Sequence, residues 1–258
     1  MYPFFDIFGV RVYSFGLLVG LGTIGAMIAA HLDFKRRSLR VSVLTAGAVL
    51  LGSGVIGSKL DSVLISSLLA HGTSQADLLS KSGFTWFGGV VTAMVAGVGL
   101  ARYYDVGLLE GFDSIAFLSL GLAIGRIGCF LAGDGDYGPV TRVPWGVDFS
   151  HGLVPAAGLR HPTMLYISMF ELAIFAWLWP QGRPDVYARK PSGSIFAQWL
   201  MLTGLARFVT EHWSLNPIVA FGYTEAELVG LAFAVCGLLL LIFCHLRTTQ
   251  SVPEKAIG

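Results

Sequence analysis

Seven apolar stretches of about twenty residues, separated by short polar connections, constrain this chain more than any other feature of its sequence. They cover residues 12–32, 43–69, 84–103, 113–132, 163–180, 194–213 and 226–246. A helix rises 1.5 Å per residue, so about twenty residues cross the ~30 Å of hydrocarbon in a bilayer. Lipid offers no partner to an unpaired peptide group, and a helix is the segment that satisfies its own backbone. The composition agrees. Of 258 residues 54% are hydrophobic and only 13% charged, where a soluble domain carries about 25% charged residues. The expected fold class is all-α: a polytopic membrane bundle of seven transmembrane helices, forming one integral membrane domain over residues 1–258.

Lys and Arg placement sets the expected orientation, because cytoplasmic loops collect positive charge. Ten of the 17 Lys and Arg fall on one side: Lys35, Arg36, Arg37, Arg40, Arg102, Arg183, Arg189, Lys190, Arg247 and Lys255. Four fall on the other: Arg11, Lys81, Arg142 and Arg160. The N-terminus is therefore expected outside and the C-terminus in the cytoplasm. No positive segment precedes the first span and no small-residue cleavage site follows it, so no cleavable signal peptide is expected. No basic block of nucleic-acid type is present, which argues against such a partner.

The longest connection, Gly133 to His161, is rich in turn formers and carries Trp145. An ordered external loop at the membrane edge is expected there, between spans four and five. Small residues recur at helix-packing intervals: Gly16 and Gly20, then Gly89, Ala93 and Gly97, then Gly121 and Gly125. They let backbones approach closely in lipid. Cys129, Cys236 and Cys244 stand at no metal-ligand spacing and read as small buried residues rather than a disulfide.

Two arginines, Arg126 and Arg207, lie inside apolar spans. A guanidinium keeps its proton and costs a few kcal/mol at the bilayer centre unless it faces a partner, a polar cavity or an anion. A lipid phosphate suits its planar fork; the plainer reading of Arg126 is a snorkelling helix anchor. Glu211 follows Arg207 by four residues, on one helix face, as a structural ion pair or as the group that orients Arg207. Lys59 and Asp61 are two apart and point to different faces, with Lys59 a candidate ligand for the anion. Gly133, Gly135 and Gly138 match a dinucleotide fingerprint in letters only, for a helix precedes them and a proline follows. Asp134 and Asp136 are weak evidence for a metal, and none is expected. His161 could shuttle a proton or cap a helix start. Ser14 and Tyr13 have no triad partners.

Several of these segments together resemble the prolipoprotein diacylglyceryl transferase family. They are Gly125-Arg126-Ile127-Gly128-Cys129-Phe130 with the loop to Gly138, Arg160-His161-Pro162-Thr163-Met164-Leu165-Tyr166, and Gly204-Leu205-Ala206-Arg207-Phe208-Val209-Thr210-Glu211. Tyr2-Pro3 through Ser14-Phe15-Gly16-Leu17 and Gly57-Ser58-Lys59-Leu60 fit as well, so the resemblance runs in order along nearly the whole chain. It implies an enzyme of the bacterial cytoplasmic (inner) membrane, without cofactor. Its activity would move diacylglyceryl from phosphatidylglycerol to the lipobox cysteine thiol of a preprolipoprotein, releasing glycerol phosphate. Partners would be phosphatidylglycerol, the preprolipoprotein signal peptide and membrane lipids. Arg126 and Arg207 match the family's functional arginines and Glu211 the acid after the second. Asp134 is the match for the signature's glutamate, with the loop after it one residue longer. Expected catalytic residues are thus Arg126, Arg207, Glu211, Asp134 and His161. Expected substrate contacts are Arg126, Arg207, Lys59, Gly88, Gly89, Cys129 and Phe15.

The chain departs from the family pattern at five places. Phe87 replaces the histidine before Gly88 and Gly89, Cys129 the signature's asparagine, and Phe15 a first-span tyrosine. Asp134 replaces a glutamate, and Ile167 the glutamate after Tyr166. Losing the histidine removes the obvious proton acceptor. Two alternatives follow: a phospholipid-dependent transferase with another acceptor, and a non-catalytic lipid-binding protein or transporter. The second lacks a proline-broken helix pair or an inverted repeat.

Overall fold

The computed structural model describes residues 1–69 and 86–250. Nine helices follow in order among the described residues: α1 (Ser14–Arg36), α2 (Val43–Leu69), α3 (Trp86–Tyr103), α4 (Leu108–Phe112), α5 (Ala116–Ala132), α6 (Thr163–Leu178), α7 (Pro184–Tyr187), α8 (Ser194–Glu211) and α9 (Glu225–Gln250). Three small antiparallel hairpins join them: β1 (Phe4–Ile7) with β2 (Val10–Tyr13), β3 (Val147–Asp148) with β4 (Leu159–Arg160), and β5 (Ile218–Ala220) with β6 (Tyr223–Thr224). Lys81 and the Phe87 side chain lie outside the described part.

Among the described residues five helical segments are long and apolar enough to cross a membrane: Ser14–Arg36, Val43–Asp61, Leu108–Ala132, Thr163–Gly182 and Glu225–Arg247. The chain is a multi-pass helical membrane protein. The apolar part of α3, Gly88–Tyr103, is shorter. Helix α8 carries Gln198, Thr203, Arg207, Thr210 and Glu211, and a helix that builds a polar site gives up hydropathy to do so. The first helix begins at Ser14, two residues later than the apolar pattern begins, because Val10–Tyr13 pairs as a strand with Phe4–Ile7. Outward faces are oily, with Ile24, Ile28, Leu239 and Ile242 exposed, as a lipid-facing surface requires.

The chain forms two compact units, one of Ser38–Phe112 and the other of Met1–Arg37 with the chain from Asp113 onward. In the smaller unit α2 packs on α3. Gly88 and Gly89 sit directly against Gly57, Ser58 and Asp61, where a side chain would strike the opposing backbone. Thr92 Oγ1 donates to the Ser53 carbonyl across the same seam at 2.9 Å.

In the larger unit α1 packs on α5, α5 on α6, α6 on α8 and α8 on α9. The α1–α5 contact is so close that a Cβ on Gly22 would stand 2.7 Å from the Gly121 carbonyl oxygen. The expected packing glycines Gly16 and Gly20 face open space instead. The register of α5 against α1 turns a different face inward, with Gly128 set against Leu18 and the Phe15 backbone. Buried Asp113 fixes the start of α8 by accepting from the backbone N–H groups of Gly193, Ile195 and Phe196 at 2.6, 2.9 and 2.9 Å. A carboxylate there also complements the helix dipole. Asp33 ties down the end of α1 through Arg36 Nε at 2.8 Å, and the Arg36 guanidinium lies 4.1 Å over the Trp179 ring. The three cysteines form no disulfide among the described residues, Cys129 and Cys244 being buried and Cys236 exposed.

Candidate active site

The α5 helix delivers Arg126 near its end and then stops at Gly133, whose φ of 60° and ψ of 52° are left-handed. Glycine takes that conformation without strain, and its backbone rests directly on Gly152. The N–H groups of Leu153 and Val154 donate to the Ala132 and Gly133 carbonyls, each at 2.9 Å. The loop is thereby held against the helix end, as an ordered cap with a small core of Cys129, Tyr137, Phe149 and Met164. Its return path brings Asp136 back over α5. Arg126 Nη1 meets Asp136 Oδ2 at 2.5 Å. The Asp136 backbone is held in turn by the Thr163 hydroxyl, which donates to its carbonyl.

The second arginine is presented by α8. Arg207 Nη2 lies 3.1 Å from Glu211 Oε2, the i, i+4 partner expected on that face. Glu211 is saturated from the other side, where Asn216 Nδ2 donates to Oε1 at 2.6 Å and Thr224 Oγ1 at 3.1 Å. Its side chain is 1% exposed against 29% for Arg207, so the acid is buried and the guanidinium faces space. That space is a cavity of about 130 Å³ bounded by Asp136, Thr163, Ile167, Arg207, Glu211 and Asn216, among others. Ligand pockets commonly run about 300–1,000 Å³, so this one is on the scale of a headgroup rather than a whole lipid. Arg126 does not line the cavity but pairs with Asp136, whose charge acts on both guanidiniums, and Arg207 lies in the field of Arg126. Two cations that would repel thus share an intervening carboxylate, Arg207 at the cavity and Arg126 on Asp136.

Of the other expected residues in the larger unit, Asp134, His161 and Phe15 do not line that cavity. Asp134 is half-buried, with the Cys129 thiol against its carboxylate, and burial raises its pKa above the ordinary carboxylate range. Cys129 Sγ and one oxygen each of Asp134 and Asp136 lie within 4.8 Å of one another. Such a set could share a cation, yet the Arg126 guanidinium already supplies the positive charge there. His161 packs against Gly138 beside the loop cap. Its Nδ1 lies 3.0 Å from the Tyr166 hydroxyl, which also accepts from Trp145 Nε1 at 2.8 Å, and its ring packs beside Trp213. Phe15 turns its side chain outward, 44% exposed, while its backbone meets Gly128. Lys59, Gly88 and Gly89 belong to the smaller unit, the two glycines at its helix seam.

Sequence reasoning missed Asp136 and Asn216 as site residues. Asp136 had been weighed only as half of a metal pair, and the extra residue in its loop was the available signal. Asn216 carries no local signal, being five residues beyond Glu211 and past the helix end. Both are placed by the loop cap and the α8–α9 connection.

A family model described as prolipoprotein diacylglyceryl transferase matches residues 3–243. The chain belongs to the prolipoprotein diacylglyceryl transferase family. A phosphatidylglycerol–prolipoprotein diacylglyceryl transferase of Geobacter sulfurreducens is 29% identical over 256 residues, covering 95% of both chains. Similar proteins of the same name occur in Clostridium tetani, 28% identical over 83% of this chain and 85% of the relative, and in Clostridioides difficile, 23% identical over 97% and 98%. The transferase is thus similar to these relatives along most of its length, with Arg126, Arg207 and Glu211 inside the matched region.

Proposed function

We propose that Arg126 and Arg207 receive the phosphate of phosphatidylglycerol and that the chain works as an integral membrane diacylglyceryl transferase. The reaction is the family's: diacylglyceryl passes from phosphatidylglycerol to the cysteine thiol of a prolipoprotein. A carbon–sulfur bond forms at the glycerol carbon as its carbon–oxygen bond breaks, and the electron pair leaves on the phosphate oxygen. Glycerol phosphate departs, with the thiol proton passing to it or to water. Charge grows on the departing phosphate, where preorganised cations are most effective. The observation that carries this reading is a headgroup-sized cavity lined by Arg207 and Asp136, with Arg126 paired to that same Asp136.

In this reading the phosphate takes the place of the Asp136 carboxylate on Arg126, while Glu211, fixed by Asn216 and Thr224, keeps Arg207 aimed at the cavity. Asp134 acts beside Cys129 at the Arg126 end, and His161 acts through Tyr166. Lys59, Gly88, Gly89, Cys129 and Phe15 remain proposed lipid or peptide contacts. The chain is read as one integral membrane domain of the bacterial cytoplasmic membrane, with seven spans, α3 and α8 included, an external N-terminus and a cytoplasmic C-terminus. The Gly133–His161 cap then lies on the outer side, where a lipobox would arrive.

Purified protein in phosphatidylglycerol vesicles with a lipobox peptide tests the reading, mass spectrometry reporting the thioether. Complementation of a strain lacking its own transferase tests it in the cell. Cys129 at the signature's asparagine position favours a second reading, a transferase with another acceptor. Product on a different acceptor, with no thioether, would select it.

A further inference from the structure

Helices α5, α6 and α8 also carry a buried polar layer one to two turns below the arginines, which the transfer chemistry above does not use. Glu171 is its centre. It follows Ile167 of the cavity wall by four residues on α6, on the same face and ~6 Å further into the bundle. It is 2% exposed. Ser119 of α5 and Thr203 of α8, both buried, stand beside it. They precede Arg126 by seven residues and Arg207 by four, so each lies below its arginine on one helix face. Trp199 Nε1 closes the layer by donating to Ser119 Oγ at 2.9 Å. Among the described residues Glu171 Oε2 and Thr203 Oγ1 complete no hydrogen bond. The charge of Arg126 reaches Glu171.

A carboxyl in this place costs free energy that a leucine of similar size would not. Ionisable residues inside a membrane bundle generally mark function. The need is visible at Arg126, whose ion-pair partner among the described residues is Asp136, 56% exposed on a loop. An arriving phosphate competes with that carboxylate and leaves the guanidinium without a protein anion above it.

We propose that Glu171 is a positioning residue for the phosphate grip, its carboxyl holding Arg126 from the membrane side while phosphate replaces Asp136. The inference rests on the transferase reading given above. Its role is to keep the guanidinium from following the departing glycerol phosphate, so its loss falls on turnover more than on folding.

The test compares the full-length chain with E171Q, E171D and E171L, each also in an R126K background. Three quantities are read: kcat and KM for phosphatidylglycerol in vesicles, Tm in detergent, and the shift in Tm that phosphatidylglycerol produces. E171Q is expected to lower kcat about tenfold, the scale of one charge-assisted contact, and to reduce the lipid-induced shift by about half. E171D recovers most of both, and in R126K the E171Q change adds no further loss, as coupled residues require. Wild-type kcat and shift in E171Q would overturn the inference, as would a lowered lipid-free Tm with an unchanged lipid-induced shift. An equal further loss in R126K would do the same. A wild-type chain giving neither thioether nor a lipid-induced shift would overturn the transferase reading itself.

Discussion

Arg126 and Asp136 hold each other at 2.5 Å across the turn that ends α5. Ten residues separate them in sequence, and the left-handed Gly133 between them is what folds the acid back over the base. The pair places an anion on the arginine before any substrate is present. On the proposed phosphate grip, the carboxylate occupies the place that phosphate oxygens would take.

Truncating either arginine should abolish transfer. R126A and R207A are each expected to lower thioether formation by at least about a hundredfold, the scale seen when one preorganised donor to a developing anion is lost. R126K and R207K should keep the charge and lose the fork, and so retain about a tenth of the activity or less. Immunoblots should show normal protein levels. Full activity in both alanine variants would remove the phosphate grip.

Neutralising the resting anion should act in the other direction on binding. D136N leaves Arg126 without its carboxylate competitor, so KM for phosphatidylglycerol is expected to fall severalfold. A raised KM would show instead that Asp136 orients the arginine during catalysis.

Glu211 is buried with three partners, and removing it should cost more than removing any one of them. E211A leaves a partly buried guanidinium unpaired and is expected to destabilise the chain by about 2 kcal/mol, with transfer lost. N216A and T224V each remove one donor to Oε1 and should reduce kcat about three- to tenfold with little change in Tm. Detergent melting curves and initial rates separate the two effects.

Glycines that meet a neighbour should differ from those that do not. G22A drives a methyl toward the Gly121 carbonyl and should lower the yield of folded protein. G16A and G20A enter open space inside a helix, where alanine is favoured over glycine by about 1 kcal/mol. Their Tm should be unchanged or higher.

Asp134 predicts a pH dependence of stability. Burial raises its folded pKa above the ordinary 3.8. Between the two values the folded chain holds a proton that the unfolded chain has released, so stability falls as pH rises through that window and stays reduced above it. D134N removes the penalty. It should melt higher than wild type at about pH 8, with the gap closing below about pH 3.5. A gap independent of pH would assign the effect to packing.

Much of this protein was legible in one dimension. Hydropathy over windows of about twenty residues located the long helices because each span satisfies its backbone locally. The four-residue spacing of Arg207 and Glu211 placed them on one face because the helical period is a local property. Guanidiniums inside apolar spans announced that they need partners, because their charge cannot be titrated away, and the structure pairs them with Asp136 and Glu211. Tertiary structure decided the rest. Asp134 and Asp136 are equivalent as letters, two acids in a glycine-rich loop, and only the packing of Gly133 on Gly152 turns Asp136 toward Arg126. Gly16 and Gly20 have the same spacing as a helix contact, yet the register of α5 against α1 puts Gly22 at the crossing. Asn216 reaches Glu211 from the α8–α9 connection, and Glu171 lies beside Ser119 and Thr203 of two other helices. Periodicity and burial preference belong to a segment, whereas the choice of partner depends on chain that is distant in sequence and near only once the helices have packed.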